Sequence, residues 1–133
     1  MNKYDEKVVI NASIALLNNL ITFTPQKNID KLMTIYADSK DFQLIDNEGT
    51  PKSFGELKEL YTNLFNSLDY INVLESQIKV ITINSETAYC VWQGKEEIKM
   101  LDCEMMLSSW IATIVVKKID DSWKIIHFHA THF

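Results

Sequence analysis

Residues Ser108 to Phe133 read SSWIATIVVKKIDDSWKIIHFHATHF. Val, Ile, Thr and Trp crowd both arms of this run, and Asp120-Asp121-Ser122 interrupts it where a chain reversal needs turn-tolerant residues. Two long antiparallel strands joined by a tight hairpin are expected. A two-residue loop would pair Ile119 with Ser122 and set His127 beside Ile114. A three-residue loop, with Asp121 in the left-handed region, would pair Lys118 with Ser122. One residue of slip exchanges the faces of a strand, so the preferred register is the one that keeps a single apolar face. The three-residue loop does so. It puts Trp110, Ala112, Ile114 and Val116 beside Ile126, Phe128 and Ala130. The opposite face carries Ile111, Thr113, Val115 and Lys117 with Trp123, Ile125, His127, His129 and Thr131.

Upstream of the hairpin, apolar residues recur at helical spacing from about Tyr4 to Ile21 (Val9, Ala12, Leu16, Leu17, Leu20) and from about Lys27 to Tyr36 (Ile29, Leu32, Met33, Tyr36). Asp41 to Asp46, DFQLID, alternates as a short strand with Phe42 and Leu44 on one side. Asn47-Glu48-Gly49-Thr50-Pro51 then signals a turn. Ser53 and Glu56 have the spacing of a capping box, which starts a third helix over about Phe54 to Leu68. Strands are expected at about Leu74 to Ile83, Thr87 to Lys99, Asp102 to Lys118 and Trp123 to His132. The pattern is that of one α+β domain over residues 1–133, with three N-terminal helices packed on the concave face of a cone-shaped antiparallel sheet.

Composition narrows the function classes. The 133 residues are 47% hydrophobic and 23% charged, with 3 Gly and 2 Pro, which argues for a folded domain rather than a linker. The net charge is -5 and all 13 basic residues are Lys, so the basic, Arg-bearing face of a nucleic-acid binder is missing. No apolar run approaches the roughly 20 residues of a spanning helix, and the start, MNKYDEKVV, is too polar for a signal peptide. A cytoplasmic protein with no membrane partner is expected. Cys90 and Cys103 read as reduced thiols in strands.

The order helix, helix, DFQLIDNEG, capped helix, meander and then Trp123-Lys124-Ile125-Ile126-His127-Phe128-His129 resembles the nuclear transport factor 2-like superfamily in its SnoaL-like branch. The closing WKIIHFHAT is similar to the end of the association domain of calcium/calmodulin-dependent protein kinase II. The resemblance implies the cone fold, which serves isomerases, cyclases, dehydratases, carriers and oligomerisation modules. The arginines that line the association-domain pocket would fall near Gly94, Ile114 and Ala130, none of which is cationic. The aspartate base of the ketosteroid isomerase relatives resembles Asp46 in Asp46-Asn47-Glu48-Gly49. The tyrosine donor of those relatives would fall near Ile14, which cannot donate a hydrogen bond.

Three sets of candidate residues follow. Asp46 is either a catalytic base beside the apolar wall of Phe42 and Leu44 or a turn aspartate before Gly49; His132 could join it as acid or base at the pocket mouth, or be a frayed end. Phe42, Trp92, Trp110, Ile114, Phe128 and Ala130 are expected to line a pocket for a small apolar ligand, or to be plain core. The face with Ile111, Thr113, Val115, Trp123, Ile125, His127 and His129 is too apolar to be left in water and is expected to bury against a second copy in a two-fold dimer. His127 and His129 lack a third ligand across the hairpin, so no metal site is expected, and no cofactor either. Glu96-Glu97 and Lys117-Lys118 read as solvated strand ends. The functional expectation is a homodimeric small-molecule-binding domain. The alternatives are a cofactor-free isomerase, cyclase or dehydratase using Asp46, and a non-catalytic assembly module.

Overall fold

The computed structural model describes residues 4–133. Helix α1 (Glu6–Phe23) starts on Asp5, whose side chain accepts from the Lys7 N–H. It buries Val9, Leu16, Leu17 and Leu20, and the Ser13 hydroxyl on the same stripe is satisfied by the Val9 carbonyl at 2.8 Å. The short α2 (Ile29–Met33) is capped by Asn28. Strand β1 is Gln43–Ile45 and helix α3 is Phe54–Ser67. The capping box at the start of α3 is formed, Ser53 N–H donating to Glu56 at 3.1 Å and Glu56 N–H to Ser53 at 3.2 Å. Four long strands follow: β2 (Leu68–Asn84), β3 (Thr87–Met100), β4 (Met106–Ile119) and β5 (Ser122–His132).

The sheet order is β1-β5-β4-β3-β2. The four long strands form consecutive antiparallel hairpins, and β1 joins the edge parallel to β5, pairing Leu44 with Phe128. This makes the sheet mixed and ties the turn after β1 to the C-terminal strand. Strand β2 begins at Leu68, six residues before the expected start, directly from α3, because Leu68 and Ile71 supply the buried positions. Strand β4 begins at Met106 rather than Asp102, after a loop with Asp102 in the left-handed region at φ 61°. Cys103 therefore lies exposed in a loop, while Cys90 is buried in β3.

The terminal hairpin starts in the two-residue register rather than the preferred three-residue one, and leaves it at a bulge. Asp120 and Asp121 both take positive φ, 49° and 63°, forming a two-residue turn that pairs Ile119 with Ser122. The register then shifts: Val116 faces Ile125 and Val115 faces His127, so Ile126 is the extra residue of a β-bulge. The bulge exchanges the faces of β5 near the turn. Ile125, expected on the outer face, is fully buried in the core, its backbone bonded to Ile35 and Ala37 at 2.8 Å each. Trp123 likewise packs against the core rather than outward. Beyond the bulge, Phe128 and Ala130 sit on the inner face opposite Ile114 and Ala112, while His127 and His129 face outward opposite Val115 and Thr113. His132 is not frayed: it pairs with Trp110 as the last residue of β5.

Candidate functional site

The helices do not fill the concave face. A cavity of about 320 Å3 remains between α1, α3 and the inner side of β2 to β5. Trp92 and Trp110 meet edge to face at 5.2 Å between ring centroids, and Phe128 stands on Trp92 at 6.3 Å, so the three aromatics line one wall together. The Trp92 indole N–H is tied to the Ser76 hydroxyl at 2.8 Å, while the buried Trp110 N–H has no partner among the described residues. Gly94 makes this wall possible. A Cβ there would meet the Trp110 ring at 2.6 Å and the Glu75 carbonyl at 2.2 Å.

Of the six residues expected to contact a ligand, Trp92, Trp110, Phe128 and Ala130 line the cavity. Phe42 and Ile114 do not. Phe42 is buried between Tyr36 and Phe54, at centroid distances of 5.6 and 6.3 Å, and Ile114 lies fully buried in the core. Leu44, Ile71, Val73 and Ile98 supply the aliphatic surface instead, with Leu20 and Ile21 from α1.

Asp46 and His132 both reach the cavity. Asp46 is also a turn residue: its Oδ1 accepts from Glu48 N–H at 3.0 Å and its carbonyl from Gly49 N–H at 2.9 Å. Gly49 takes φ 77°, a backbone conformation that favours glycine. Next to it, Asn47 clamps the end of β5. Its side chain donates to the His132 carbonyl at 2.7 Å and accepts the His132 N–H at 2.8 Å. This places the imidazole against the turn.

Glu96 also departs from its expected place. It is not a solvated strand end but is only 9% exposed, its carboxylate on the cavity wall. Its alternation with Trp92, Gly94 and Ile98 along β3 carries the signal, since residues two apart share a face. Glu96 Oε1 lies 4.0 Å from His132 Nε2. Burial raises the Glu96 pKa and lowers that of His132, the latter partly opposed by the Asp46 charge. Both shifts favour the uncharged forms, so desolvation outweighs the attraction of a pair at this separation.

Deeper in, the Tyr36 and Tyr61 hydroxyls share a 2.6 Å hydrogen bond. Burial is the first cause of the rise of the Tyr61 phenol to about 12, with Glu96 adding to it, and the Tyr36 phenol is raised as well. Tyr36, Tyr61, Glu96, His132 and Asp46 form a polar seam on an otherwise apolar surface. Among the described residues no three His, Cys, Asp or Glu side chains gather as metal ligands.

The outer face is built of cross-strand rows: Tyr89, Val115 and His127; Val91, Thr113 and His129; Gln93, Ile111 and Thr131. Ile111 is 44% and Tyr89 37% exposed. No described helix is long and apolar enough to cross a membrane.

A model of the SnoaL-like domain family matches residues 14–132. No curated protein matches the sequence. Among solved structures, a nuclear transport factor 2-like superfamily protein from Salmonella enterica aligns over 95% of this chain and 92% of its own, with TM-score 0.84 at 14% identity. The LinA-type3 hexachlorocyclohexane dehydrochlorinase of Novosphingobium barchaimii aligns over 96% and 88%, with TM-score 0.80 at 12% identity. A nuclear transport factor 2-like protein of unknown function from Shewanella oneidensis is similar at 21% identity over 92% and 98%, with TM-score 0.73. At these identities the likeness is one of fold.

Proposed function

The chain belongs to the SnoaL-like domain family, and from that premise and the cavity's lining we propose that it is a small-molecule-binding domain whose ligand occupies the space between α1, α3 and the sheet. The observation that carries this reading is the cavity itself: about 320 Å3, walled by Trp92, Trp110, Phe128 and aliphatic side chains, with a few polar groups on one side. That is the make-up of a pocket for a small apolar molecule, in which aromatic walls supply affinity and a few polar groups orient. The test is equilibrium dialysis against 2-ethylnaphthalene, with Ala130→Phe and Val73→Phe filling the cavity from different strands. Saturable binding that both variants abolish supports the reading; binding that survives both places the ligand elsewhere.

A second reading is favoured by one observation, the convergence of Asp46, His132 and Glu96 on the cavity. An elimination needs a base and an acid on one substrate. Asp46 or His132 would take a proton from carbon, the adjacent C–O bond would break, and Glu96 would protonate the departing hydroxyl to release water. One solved structure of similar fold is that of a hexachlorocyclohexane dehydrochlorinase. Turnover of a β-hydroxy ketone that Asp46→Asn abolishes would establish this reading over simple binding.

The protein is proposed to act as a homodimer through the outer sheet face. Ile111, Thr113, Val115, His127 and His129 remain on that face, joined by Tyr89 and Val91.

A further inference from the structure

We infer that the pocket takes an amine with an apolar body, whose protonated nitrogen pairs with the Glu96 carboxylate just inside the mouth. The inference rests on the binding reading above and specifies its ligand.

Glu96 is the polar group of the wall that wants a partner. The residue is 9% exposed and lines the cavity, yet its carboxylate accepts no hydrogen bond from a described residue. His132 Nε2 stands 4.0 Å away, beyond hydrogen-bond reach. A carboxylate buried without donors is costly, so a molecule that enters beside it gains by supplying one. A protonated amine supplies N–H donors together with the opposite charge. The pair sums to zero, so Glu96 can ionise against it without leaving a net charge in the cavity. The raised pKa of Glu96 shows how poorly the cavity holds that charge alone.

The rest of the wall suits a cation. Its ionisable side chains are Tyr36, Tyr61, Asp46, Glu96 and His132. No described Lys lines the cavity, and the chain contains no Arg, so no fixed positive charge opposes an ammonium group. Burial favours the neutral imidazole at His132, partly opposed by the Asp46 charge. The negative ring faces of Trp92, Trp110 and Phe128 add attraction where a cation comes within ~6 Å of them. Exposure orders the two ends of the ligand. The His132 side chain is 47% exposed and marks the mouth, and Glu96 lies beside it, whereas Trp92 and Ile71 are buried and offer apolar surface. The nitrogen therefore stays at the mouth and the apolar body goes inward.

The test compares three probes of one shape at about pH 7.5 by equilibrium dialysis: 2-ethylnaphthalene, 2-(2-naphthyl)ethanol and 2-(2-naphthyl)ethylamine. The amine should bind about tenfold tighter than the alcohol, because a charge-assisted hydrogen bond exceeds a neutral one. Glu96→Gln keeps the shape and removes the charge. It should erase the amine's advantage over the alcohol and leave the hydrocarbon within about twofold, which also reports that the variant is folded. If that variant does not fold, the order of the three probes on the unmodified protein decides. Asp46→Asn should leave the preference for the amine in place, since the Asp46 Oδ1 already accepts from Glu48 N–H. An alcohol that binds as tightly as the amine, or an amine preference that survives Glu96→Gln, overturns the inference. So does a preference lost with Asp46→Asn alone, which would put the nitrogen at the turn. Hydrocarbon binding with no gain for the amine overturns it while leaving the binding reading intact. Failure of all three to bind removes the binding reading and this inference together.

Discussion

Glu96 Oε1 and His132 Nε2 stand 4.0 Å apart, one reaching in from β3 and the other from β5 over the strand between them. Burial moves both toward their uncharged forms, which makes a testable statement about stability. The folded pKa of Glu96 is raised above the ordinary 4.5, so the folded state holds this proton more readily than the unfolded chain. Its contribution is fully present below that ordinary value and is lost as pH rises through the folded value. Glu96→Gln should therefore raise Tm by a few degrees at about pH 7.5, with the gain vanishing near pH ~4 in a calorimetric pH series. A variant destabilised at neutral pH would show that the carboxylate is held by an interaction stronger than its desolvation.

Gly94 is needed for close approach. An added Cβ would meet the Glu75 carbonyl at 2.2 Å and the Trp110 ring at 2.6 Å, and the backbone cannot yield as a flexible side chain would. Gly94→Ala should destabilise the fold by about 1–3 kcal/mol and displace Trp110 into the cavity. Chemical denaturation and dialysis against 2-ethylnaphthalene read the two effects separately.

Asn47 holds the end of β5 through two hydrogen bonds, at 2.7 and 2.8 Å, to the backbone of His132. The site is exposed, so Asn47→Ala should lower stability by only about 1 kcal/mol. The sharper readout is amide exchange. Protection at His132 should fall, while Phe128, deep in the strand, should be unaffected.

The outer face predicts assembly. Ile111→Lys together with His129→Lys should convert the proposed dimer to monomers in sedimentation velocity, because like charge placed on a self-complementary patch meets its own copy. Ligand binding should persist, since neither residue lines the cavity.

What the sequence discloses follows from how local each signal is. The alternation of Trp110, Ala112, Ile114 and Val116, the capping box at Ser53 and Glu56, and the turn before Gly49 are written in neighbouring residues, and each is present in the structure. The bulge at Ile126 is not. Ile125 and Ile126 are the same residue type, so nothing local says which is extra; the bonds from Ile125 to Ile35 and Ala37, some ninety residues away, decide it. That single residue moved Ile125 and Trp123 from the outer face to the core. Glu96 was hidden by its neighbour Glu97, because a pair of adjacent charges resembles a solvated end. Only parity with Trp92 marks Glu96 as facing inward. The Tyr36–Tyr61 pair joins a residue just after α2 to one in α3, and no spacing rule connects them.

Native mass spectrometry of the protein purified gently from its own host tests the central claim most directly. The account predicts one small molecule per chain, carried on a dimer and absent from the cavity-filled Ala130→Phe variant. A chain that is bare in both forms, or an adduct equally present in the filled variant, would contradict it.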